Sequence, residues 1–292
     1  MYSTEFTYQA PTTLADAIKL LQSSGDGAKV LAGGQSLIPL MKLRLAEPPA
    51  LIDLGRIPEL RGVREDSGDV VIGATTTYVE LISNPTTQAK LPLLVETIRQ
   101  VGDPQVRARG TIGGSLAHAD PAGDVPAAVL ALDGQVTATG PGGARTIAAR
   151  DFFVDLLTTA LQPGEVLTSV RLPAANQARS GYAYMKHRHP ASGYAVVGAA
   201  ALVRLGDDGT CQAAQCAITG AGTHAARQTA VEQAITGKAP DDATLAAAAA
   251  HAADGLELMS DSYASGEFRA HLAQVLTRRA LAAAAARARG GA

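Results

Sequence analysis

Two short segments of the sequence contain adjacent glycines in a setting where the backbone itself could bind a ligand. One is Ala32–Leu37, which follows an apolar run, and the other is Gly110–Leu116. Adjacent glycines let the backbone approach a ligand closely and point successive N–H groups at it. A pyrophosphate suits such a nest, and a helix predicted after the first segment adds its positive end. We therefore predict an anion site built from two glycine-rich turns; the alternative is a pair of tight turns without a ligand.

The patterns of several common active sites are absent from the sequence. No strand is followed by Gly-x-Gly-x-x-Gly, so a Rossmann nucleotide site is not expected. The pair Gly237-Lys238 is followed by Ala239, which rules out a phosphate-binding loop of the Gly-Lys-Ser/Thr type. Neither Ser36 nor Ser115 completes a Gly-x-Ser-x-Gly nucleophile elbow. The glycine segments thus remain the main candidates for chemistry.

The residue types that bind metals are sparse. His187 and His189 could bind a metal from one face of a strand, but no carboxylate or cysteine lies nearby in the sequence. We interpret them as surface or packing residues. Cys211 and Cys216 are the only cysteines, and ordinary packing in a strand is expected for both. Any iron–sulfur centre that serves this protein is therefore expected on another chain.

Length, composition and charge narrow the class of protein. The chain has 292 residues, 47% of them hydrophobic, which is enough for one large domain or two modest ones. The formal net charge is -2, from 25 basic and 27 acidic residues without a basic stripe, so nucleic-acid binding is not expected. The longest apolar stretch, Tyr194–Val203, is too short for a transmembrane segment, and the N-terminus lacks the pattern of a signal peptide. The expected location is the cytoplasm.

The glycine segments must be positioned by short helices and strands in the first half of the chain. Thr13 and Asp16 have the spacing of a capping box, with Asp16 returning to the backbone, at the start of a helix that continues to Leu21. The other predicted elements are a buried strand at Lys29–Ala32, strands at Leu51–Leu54 and Val70–Ala74, helices at Leu37–Leu45, Leu91–Val101 and Asp124–Leu132, a polar glycine-containing segment at 102–114, and strands around turns at Gln135–Leu172.

Composition changes near Pro173–Ser180, where polar residues and proline cluster without periodicity. We place a domain boundary there, which divides the chain into residues 1–175 and 176–292. In the second part we predict strands near Tyr182–Lys186, Ala195–Leu205 and Gln212–Ile218, then alanine-rich helices near Ala225–Ile235, Asp241–Ala253 and Ser265–Ala286. The predicted apolar face of the last helix consists of Phe268, Leu272, Val275 and Leu276.

Both glycine segments resemble loops of one known protein family. Val30–Leu37 and Thr111–Ser115 resemble the two FAD-binding loops in the medium subunit of molybdenum hydroxylases. That family includes the flavoprotein of aerobic carbon monoxide dehydrogenase and the FAD domain of xanthine dehydrogenase. The Thr-Ile-Gly-Gly loop followed by Asp-x-x-x-Asp is its specific signal. Further likeness lies in Phe6–Pro11, Leu51–Leu54, Ile72–Ala74, Pro163–Leu167, Tyr184–Lys186 and the terminal helices. The chain lacks the inserted cysteines of the subgroup that reduces aromatic thioesters.

The resemblance implies that both glycine segments hold the pyrophosphate and ribityl chain of FAD through backbone N–H groups. Ser36 and Ser115 would add hydroxyl contacts, although the family often has Asn at the position of Ser115. Asp124 matches a carboxylate that contacts FAD, and Lys186 matches a lysine near the flavin, where an ammonium would raise its reduction potential. The implied cofactor-binding residues are Val30, Leu31, Ala32, Gly33, Gly34, Gln35, Ser36, Leu37, Val101, Thr111, Ile112, Gly113, Gly114, Ser115, Asp124, Leu167, Lys186 and Tyr194.

Within this set, Val101 and Leu167 match apolar or backbone contacts, and Tyr194 matches an aromatic or apolar position close to the isoalloxazine. From the residues alone, Asp124 is also interpreted as a helix N-cap and Lys186 as a surface charge. The resemblance implies no general acid, nucleophile or metal ligand on this chain.

The implied fold is α+β, with an FAD-binding domain of the vanillyl-alcohol-oxidase (PCMH) type made of two αβ subdomains, about 1–56 and 57–175. A C-terminal three-stranded antiparallel sheet with helices would complete it. The implied function is electron transfer. Electrons from a large molybdopterin-binding subunit would pass through two [2Fe-2S] clusters of a small subunit to FAD on this chain, and then to NAD, a quinone or oxygen. A dimer of heterotrimers is implied. The substrate stays open between carbon monoxide, a purine, an N-heterocycle and others.

Two other functions remain possible at this point. One is a stand-alone flavoenzyme of the same superfamily, similar to the enolpyruvyl-sugar reductase, although that family typically ends its glycine loop in Ser-Asn and here Gln35-Ser36-Leu37 follows. The C-terminal segment also lacks an evident acid pair. The other is an interaction subunit that keeps the scaffold without a flavin.

Overall fold

The computed structural model describes residues 2–25, 27–175 and 177–290. Its first unit consists of β1 (Thr7–Gln9), α1 (Leu14–Ser23), β2 (Lys29–Leu31), α2 (Leu37–Lys42) and β3 (Ala50–Asp53). The strands form a parallel sheet in the order β1-β3-β2. Thr13 caps α1 by accepting the N–H of Asp16 at 3.1 Å. The predicted return of Asp16 to the backbone is wrong, because its carboxylate accepts from the Thr13 hydroxyl instead, at 2.7 Å.

The strand before the first glycine segment differs from the prediction in its burial. Lys29 is exposed, and Val30 and Leu31 are only half-buried. The reason is topological, because β2 lies at the edge of the sheet and pairs with β3 alone. The helix predicted at Leu37–Leu45 forms, but it ends at Lys42.

The second unit is an antiparallel sheet of five strands with helices inserted between its strands. Its strands are β4 (Val63–Asp66), β5 (Asp69–Gly73), β6 (Gln135–Gly140), β7 (Gly143–Ala148) and β10 (Val166–Leu172), and their order is β4-β5-β10-β6-β7. A small hairpin joins β8 (Phe153–Asp155) to β9 (Thr158–Thr159). The helices are α3 (Tyr78–Ser83), α4 (Pro85–Lys90), α5 (Pro92–Arg99), α6 (Pro104–Arg109), α7 (Ile112–His118) and α8 (Asp124–Ala131).

Two of these helices occupy the segment that the sequence predicted as a polar stretch with a glycine-rich turn. Asp103 caps α6 by accepting the N–H of Val106 at 2.8 Å, and Pro104 follows at a position that suits proline. Thr111 caps α7 in the same way. The prediction of a turn at the second glycine segment is therefore wrong, because both glycines lie in the first turn of α7.

The third unit consists of β11 (Ser180–Arg188), β12 (Ala195–Leu205), β13 (Cys211–Thr219), β14 (Ala226–Arg227), α9 (Thr229–Ile235), α10 (Asp242–Ala249) and α11 (Gly266–Ala288). The three predicted long strands form one antiparallel sheet, and the two-residue β14 adds a fourth strand at its edge. The α+β class is confirmed.

The sheet of the third unit is covered on both faces, which explains why β12 is buried along most of its length. Ala200 packs with the second unit, in the core that contains α8, whereas Ala199 and Ala201 pack in the core that contains α11. Such alternation is the period of a strand between two layers. The last helix buries Leu272 and Leu276 as predicted, but Phe268 is exposed and its ring contacts His187 instead.

The predicted boundary between residues 175 and 176 lies beside Asn176, which is outside the described residues, and the domain division stays a prediction. Across residues 2–25, 27–175 and 177–290, no helix combines the length and apolarity needed to cross a membrane.

Candidate cofactor site

The first glycine segment is a loop that joins β2 to α2 and packs against the end of α6. Gly34 has a φ of +75°, a left-handed conformation that favours glycine. A Cβ at Gly33 would lie 2.2 Å from the carbonyl oxygen of Arg109, so a larger residue requires the loop or α6 to move. The two glycines therefore fix both the shape of the loop and its position.

The backbone donors of this loop have no acceptor among the residues that the structure describes. Within the described chain, the five successive N–H groups of residues 33–37 donate no hydrogen bond. Gln35 is exposed and the other four residues are half-buried, so a ligand can reach them. Backbone donors in native proteins are nearly always paired, and a run of unpaired N–H groups around a left-handed residue is a nest for an anion.

The backbone N–H groups of the second glycine segment, unlike those of the first, are paired within the part of the protein that the structure describes. The N–H of Ile112 donates to the Thr76 carbonyl at 3.2 Å, and that of Gly113 donates to the Ala74 carbonyl at 2.9 Å. The N–H of Gly114 donates to the hydroxyl of Thr111 at 3.1 Å. These three donors are satisfied within the protein, which corrects the expectation that this segment offers a second set of free amides.

The glycines of the second segment instead allow close packing around the first loop. A Cβ at Gly113 would lie 2.5 Å from the Cβ of Ala74, so α7 approaches the end of β5 through this glycine. A Cβ at Gly114 would lie 3.7 Å from the Cβ of Ala32, which places the start of α7 beside the first loop. The structure thus brings together two segments that are about 75 residues apart, as expected, but gives them unequal roles.

Asp124 and Lys186 form a buried ion pair. The carboxylate of Asp124 accepts from the Lys186 ammonium at 2.8 Å and from the Tyr184 hydroxyl at 2.5 Å. Lys186 also donates to the carbonyl of Gln100 at 3.2 Å. Only 5% of the Asp124 side chain and 1% of the Lys186 side chain are exposed. Neither residue matches its alternative interpretation, because Gly123 is the N-cap of α8 and Lys186 is not a surface charge.

Burial governs the titration of this pair. Burial raises the pKa of the Asp124 carboxyl, and the attraction of Lys186 acts in the opposite direction. Burial lowers the pKa of Lys186, and the attraction of Asp124 again opposes it. The ammonium predicted near the flavin is thus accompanied by a carboxylate, so the two charges largely cancel at a distance.

Exposure divides the predicted site residues into two groups, because contact with a cofactor requires surface that the protein does not itself cover. The half-buried or exposed group is Val30, Leu31, Ala32, Gly33, Gly34, Gln35, Ser36, Leu37, Val101, Gly114, Ser115 and Tyr194. The buried group is Thr111, Ile112, Gly113, Asp124, Leu167 and the side chain of Lys186.

Two tyrosines connect the loops to the rest of the structure. Partial burial raises the pKa of the Tyr194 phenol, and the nearby Ser36 acts in the opposite direction, so Tyr194 lies close to the first loop. Tyr78 is buried, and its side chain lies beside Gly110 and Ser115 of the second segment. Tyr78 and Tyr184 are absent from the predicted site residues, although Tyr184 begins one of the segments that resemble the family.

Two open cavities of about 340 and 380 Å³ lie beside β4. Their linings share Gly62 and Val63, and neither includes a residue of the two glycine segments. The candidate site is therefore defined by the first loop and its surroundings, not by these cavities.

Comparison with known proteins gives two family matches. Residues 4–175 match the FAD binding domain in molybdopterin dehydrogenase, and residues 182–284 match the CO dehydrogenase flavoprotein C-terminal domain. The chain is 41% identical to the carbon monoxide dehydrogenase medium chain of Hydrogenophaga pseudoflava, over 98% of this chain and 99% of that one.

Other known proteins also match this chain over nearly its whole length. The chain is 36% identical to subunit alpha of the 6-hydroxypseudooxynicotine dehydrogenase complex of Paenarthrobacter nicotinovorans, over 97% of this chain and 96% of that one. A solved chain of carbon monoxide dehydrogenase from Hydrogenophaga pseudoflava superposes with a TM-score of 0.95 at 42% identity, covering 98% of this chain and 99% of that one.

Proposed function

Because this chain belongs to the family of FAD-binding flavoprotein subunits of molybdopterin dehydrogenases, we propose that it is the electron-transferring medium subunit of a molybdenum-containing hydroxylase or dehydrogenase. When bound, FAD supplies the capacity to take up electrons and pass them on. The task of the chain is to hold that cofactor in place, and such a task needs no general acid or nucleophile.

The row of free N–H groups at residues 33–37 carries this proposal. A diphosphate offers several acceptor oxygens and negative charge, which match five unpaired donors on a half-buried loop. Because the protein supplies no acceptor of its own here, a diphosphate removes the cost of leaving these donors unpaired. The residues present therefore fit FAD at the first loop.

Direct contact with FAD is proposed for the exposed and half-buried residues of the site. Tyr194 and Ser36 would contact it by side chain, and the first loop by its backbone. For the buried residues, including Asp124 and Lys186, we propose a supporting role through their packing against the loops. The division into domains 1–175 and 176–292, with subdomains at about 1–56 and 57–175, is likewise proposed.

The partners follow from the same family. We propose a large molybdopterin-binding subunit and a small iron–sulfur subunit with two [2Fe-2S] clusters, assembled with this chain as a dimer of heterotrimers in the cytoplasm. The two cysteines support separate iron–sulfur subunits, because Cys211 and Cys216 are both buried. The relatives are subunits of complexes, so the comparisons do not favour a stand-alone enolpyruvyl-sugar reductase. The substrate and the electron acceptor stay open.

The proposal is tested by producing the full chain together with the large and small subunits that are encoded by neighbouring genes. We expect one FAD per chain, measured by extraction and chromatography, and co-purification of the two partners. A colourless complex that takes up no added FAD would point to a flavin-free scaffold. A chain that purifies alone with FAD and turns over an enolpyruvyl sugar with NADPH would instead support the reductase.

A further inference from the structure

Arg269, on α11, is a buried charge far in sequence from both glycine segments. Only 6% of its side chain is exposed. Its Nη1 donates to the carbonyls of Val196 and Gly220, at 2.7 and 2.6 Å, and its Nη2 donates to the carboxylate of Asp261 at 2.5 Å. One guanidinium thus joins the start of β12, the end of β13 and the segment before α11.

The two strand ends held by Arg269 are bonded to the segment that precedes α8. The N–H of Gly220 donates to the Pro121 carbonyl at 2.7 Å. The hydroxyl of Thr219 lies 2.7 Å from the carbonyls of both Pro121 and Gly123. The N–H of Ala195 donates to the Ala122 carbonyl at 3.3 Å. Residues 121–123 are therefore held along their length by the third unit.

The same contacts extend to Tyr194. Tyr194 immediately precedes Ala195 in the chain, and its carbonyl accepts from the N–H of His189 at 2.8 Å. The ring of His189 lies 4.5 Å from the ring of Tyr263, whose N–H donates to Asp261 at 2.8 Å. Asp261 thus bonds both to Arg269 and to Tyr263, whose ring lies beside His189 in the turn that carries Tyr194.

We propose that Arg269 is a positioning residue for FAD binding, and this inference rests on the proposed function. By fixing the ends of β12 and β13, Arg269 sets the place of Tyr194 against the first glycine loop and of residues 121–123 ahead of the Asp124–Lys186 pair. The role requires donors on two separate nitrogens held in one plane, which a guanidinium provides and a single ammonium nitrogen does not.

Arg227 provides a matched control. It joins the third unit to the second directly, because it is paired with Glu232 and Asp133 and donates to the Leu130 carbonyl at 3.3 Å. Its contacts lie at the C-terminal end of α8. The strand ends that Arg269 holds bond instead to residues 121–123, just before the N-terminal end, which is about 10 Å away for a helix of this length. Loss of Arg227 removes bonds between the two units at one end of α8, whereas loss of Arg269 releases the strand ends that bond near the other end.

The test compares the unmodified chain with the variants R269M, R269K and R227M, each produced together with its partner subunits. For each protein, the dissociation constant for FAD is measured. Melting temperature and the visible circular dichroism of bound FAD are measured on the same samples, with titrations well below the melting temperature. We expect R269M to raise the dissociation constant at least tenfold and to change the dichroism, with a smaller rise for R269K. R227M should lower the melting temperature yet leave the dissociation constant within twofold.

If R269M does not fold, the variants R269K and D261N test the role of Arg269 in its place. Both are expected to raise the dissociation constant for FAD. The role of Arg269 is overturned if its folded variants bind FAD within twofold of the unmodified chain, or if R227M loses as much affinity as R269M. An unmodified chain that binds no FAD overturns the proposed function itself, so the two failures are distinguishable.

Discussion

At the scale of single residues, the Asp124–Lys186 pair matters most for the properties of the site. A lone ammonium beside a flavin would favour its anionic reduced form, as the resemblance implies for Lys186. Here the ammonium is paired at 2.8 Å with a carboxylate that also accepts from Tyr184. We infer that the pair supports the site through its geometry more than through net charge.

The substitution Asp124→Asn tests this pairing. It leaves the Lys186 ammonium buried without its counter-charge, so we expect a loss of about 3–5 kcal/mol in the free energy of unfolding. The double variant D124N/K186M removes the uncompensated charge and should recover part of that loss, as measured by urea denaturation. Losses that simply add, with no recovery in the double variant, would contradict a direct pair.

The thiols provide a second prediction at this scale. Burial raises the pKa of Cys211 to about 11 and that of Cys216 to about 12, so both stay protonated at neutral pH. We expect iodoacetamide at pH 8 to leave the native chain unlabelled and to label two thiols after denaturation, by mass spectrometry. Rapid labelling of either thiol in the folded chain would show that its strand is open to solvent.

The resemblance named the residues of the candidate site, but no sequence pattern showed the contacts between them. The sequence pointed to Asp124 and Lys186 separately, from motifs that are 62 positions apart. Their pairing depends on how β11 packs beside α8, which no local pattern encodes. The free N–H groups of the first loop followed directly from its glycines after a strand, since that arrangement depends on local conformation alone.

At the scale of elements, the second glycine segment shows the limit of local patterns. Adjacent glycines favour a turn, since glycine weakens a helix interior by about 1 kcal/mol relative to alanine. The structure nevertheless begins α7 at Ile112, because Thr111 caps it and the backbone of Ala74 lies too close for larger side chains. Tertiary packing outweighs propensity here. The longer strands and helices were predictable because their periodicity agrees with burial.

The contact between α11 and β11 gives a prediction for packing between elements. A Cβ at Gly181 would lie 2.0 Å from the Ala284 carbonyl oxygen and 2.5 Å from the Ala288 nitrogen. Gly181→Ala must therefore push the helix from the sheet, and we expect a loss of about 1–3 kcal/mol in unfolding free energy. The control Gly142→Ala meets no atom within 4 Å and should change stability by less than about 0.5 kcal/mol. Equal stability of both variants would show that α11 does not approach β11 this closely.

At the scale of the whole molecule, the second and third units meet around α8. This helix is buried along its whole length, with the helices of its own unit on one side and the sheet of the third unit on the other. The segment before it is bonded to the third unit, and the first loop packs against α6 of the second. The candidate site therefore draws on all three units, which explains why the family resemblance extends over nearly the whole chain.

The meeting of the units could not be derived from the sequence pattern. Composition indicated a change near residue 175, and the predicted strands and helices of the second part were placed within a few residues. The bonds from Thr219 and Gly220 to residues 121–123 link positions nearly 100 residues apart. These bonds form only when the second and third units, each already folded, pack together. The sequence pattern alone therefore gives no sign of the contribution of Arg269.

The central claim is that the N–H groups of residues 33–37 hold the diphosphate of FAD. The most direct test is equilibrium titration of the chain in its complex with FAD and with riboflavin, which lacks the phosphates, using Gly33→Ala and the control Gly142→Ala. A Cβ at Gly33 meets the Arg109 carbonyl at 2.2 Å and displaces the loop, so we predict at least tenfold weaker FAD binding and no change for riboflavin. Unaltered FAD affinity in Gly33→Ala, or equal affinity of the unmodified chain for FAD and riboflavin, would contradict the account.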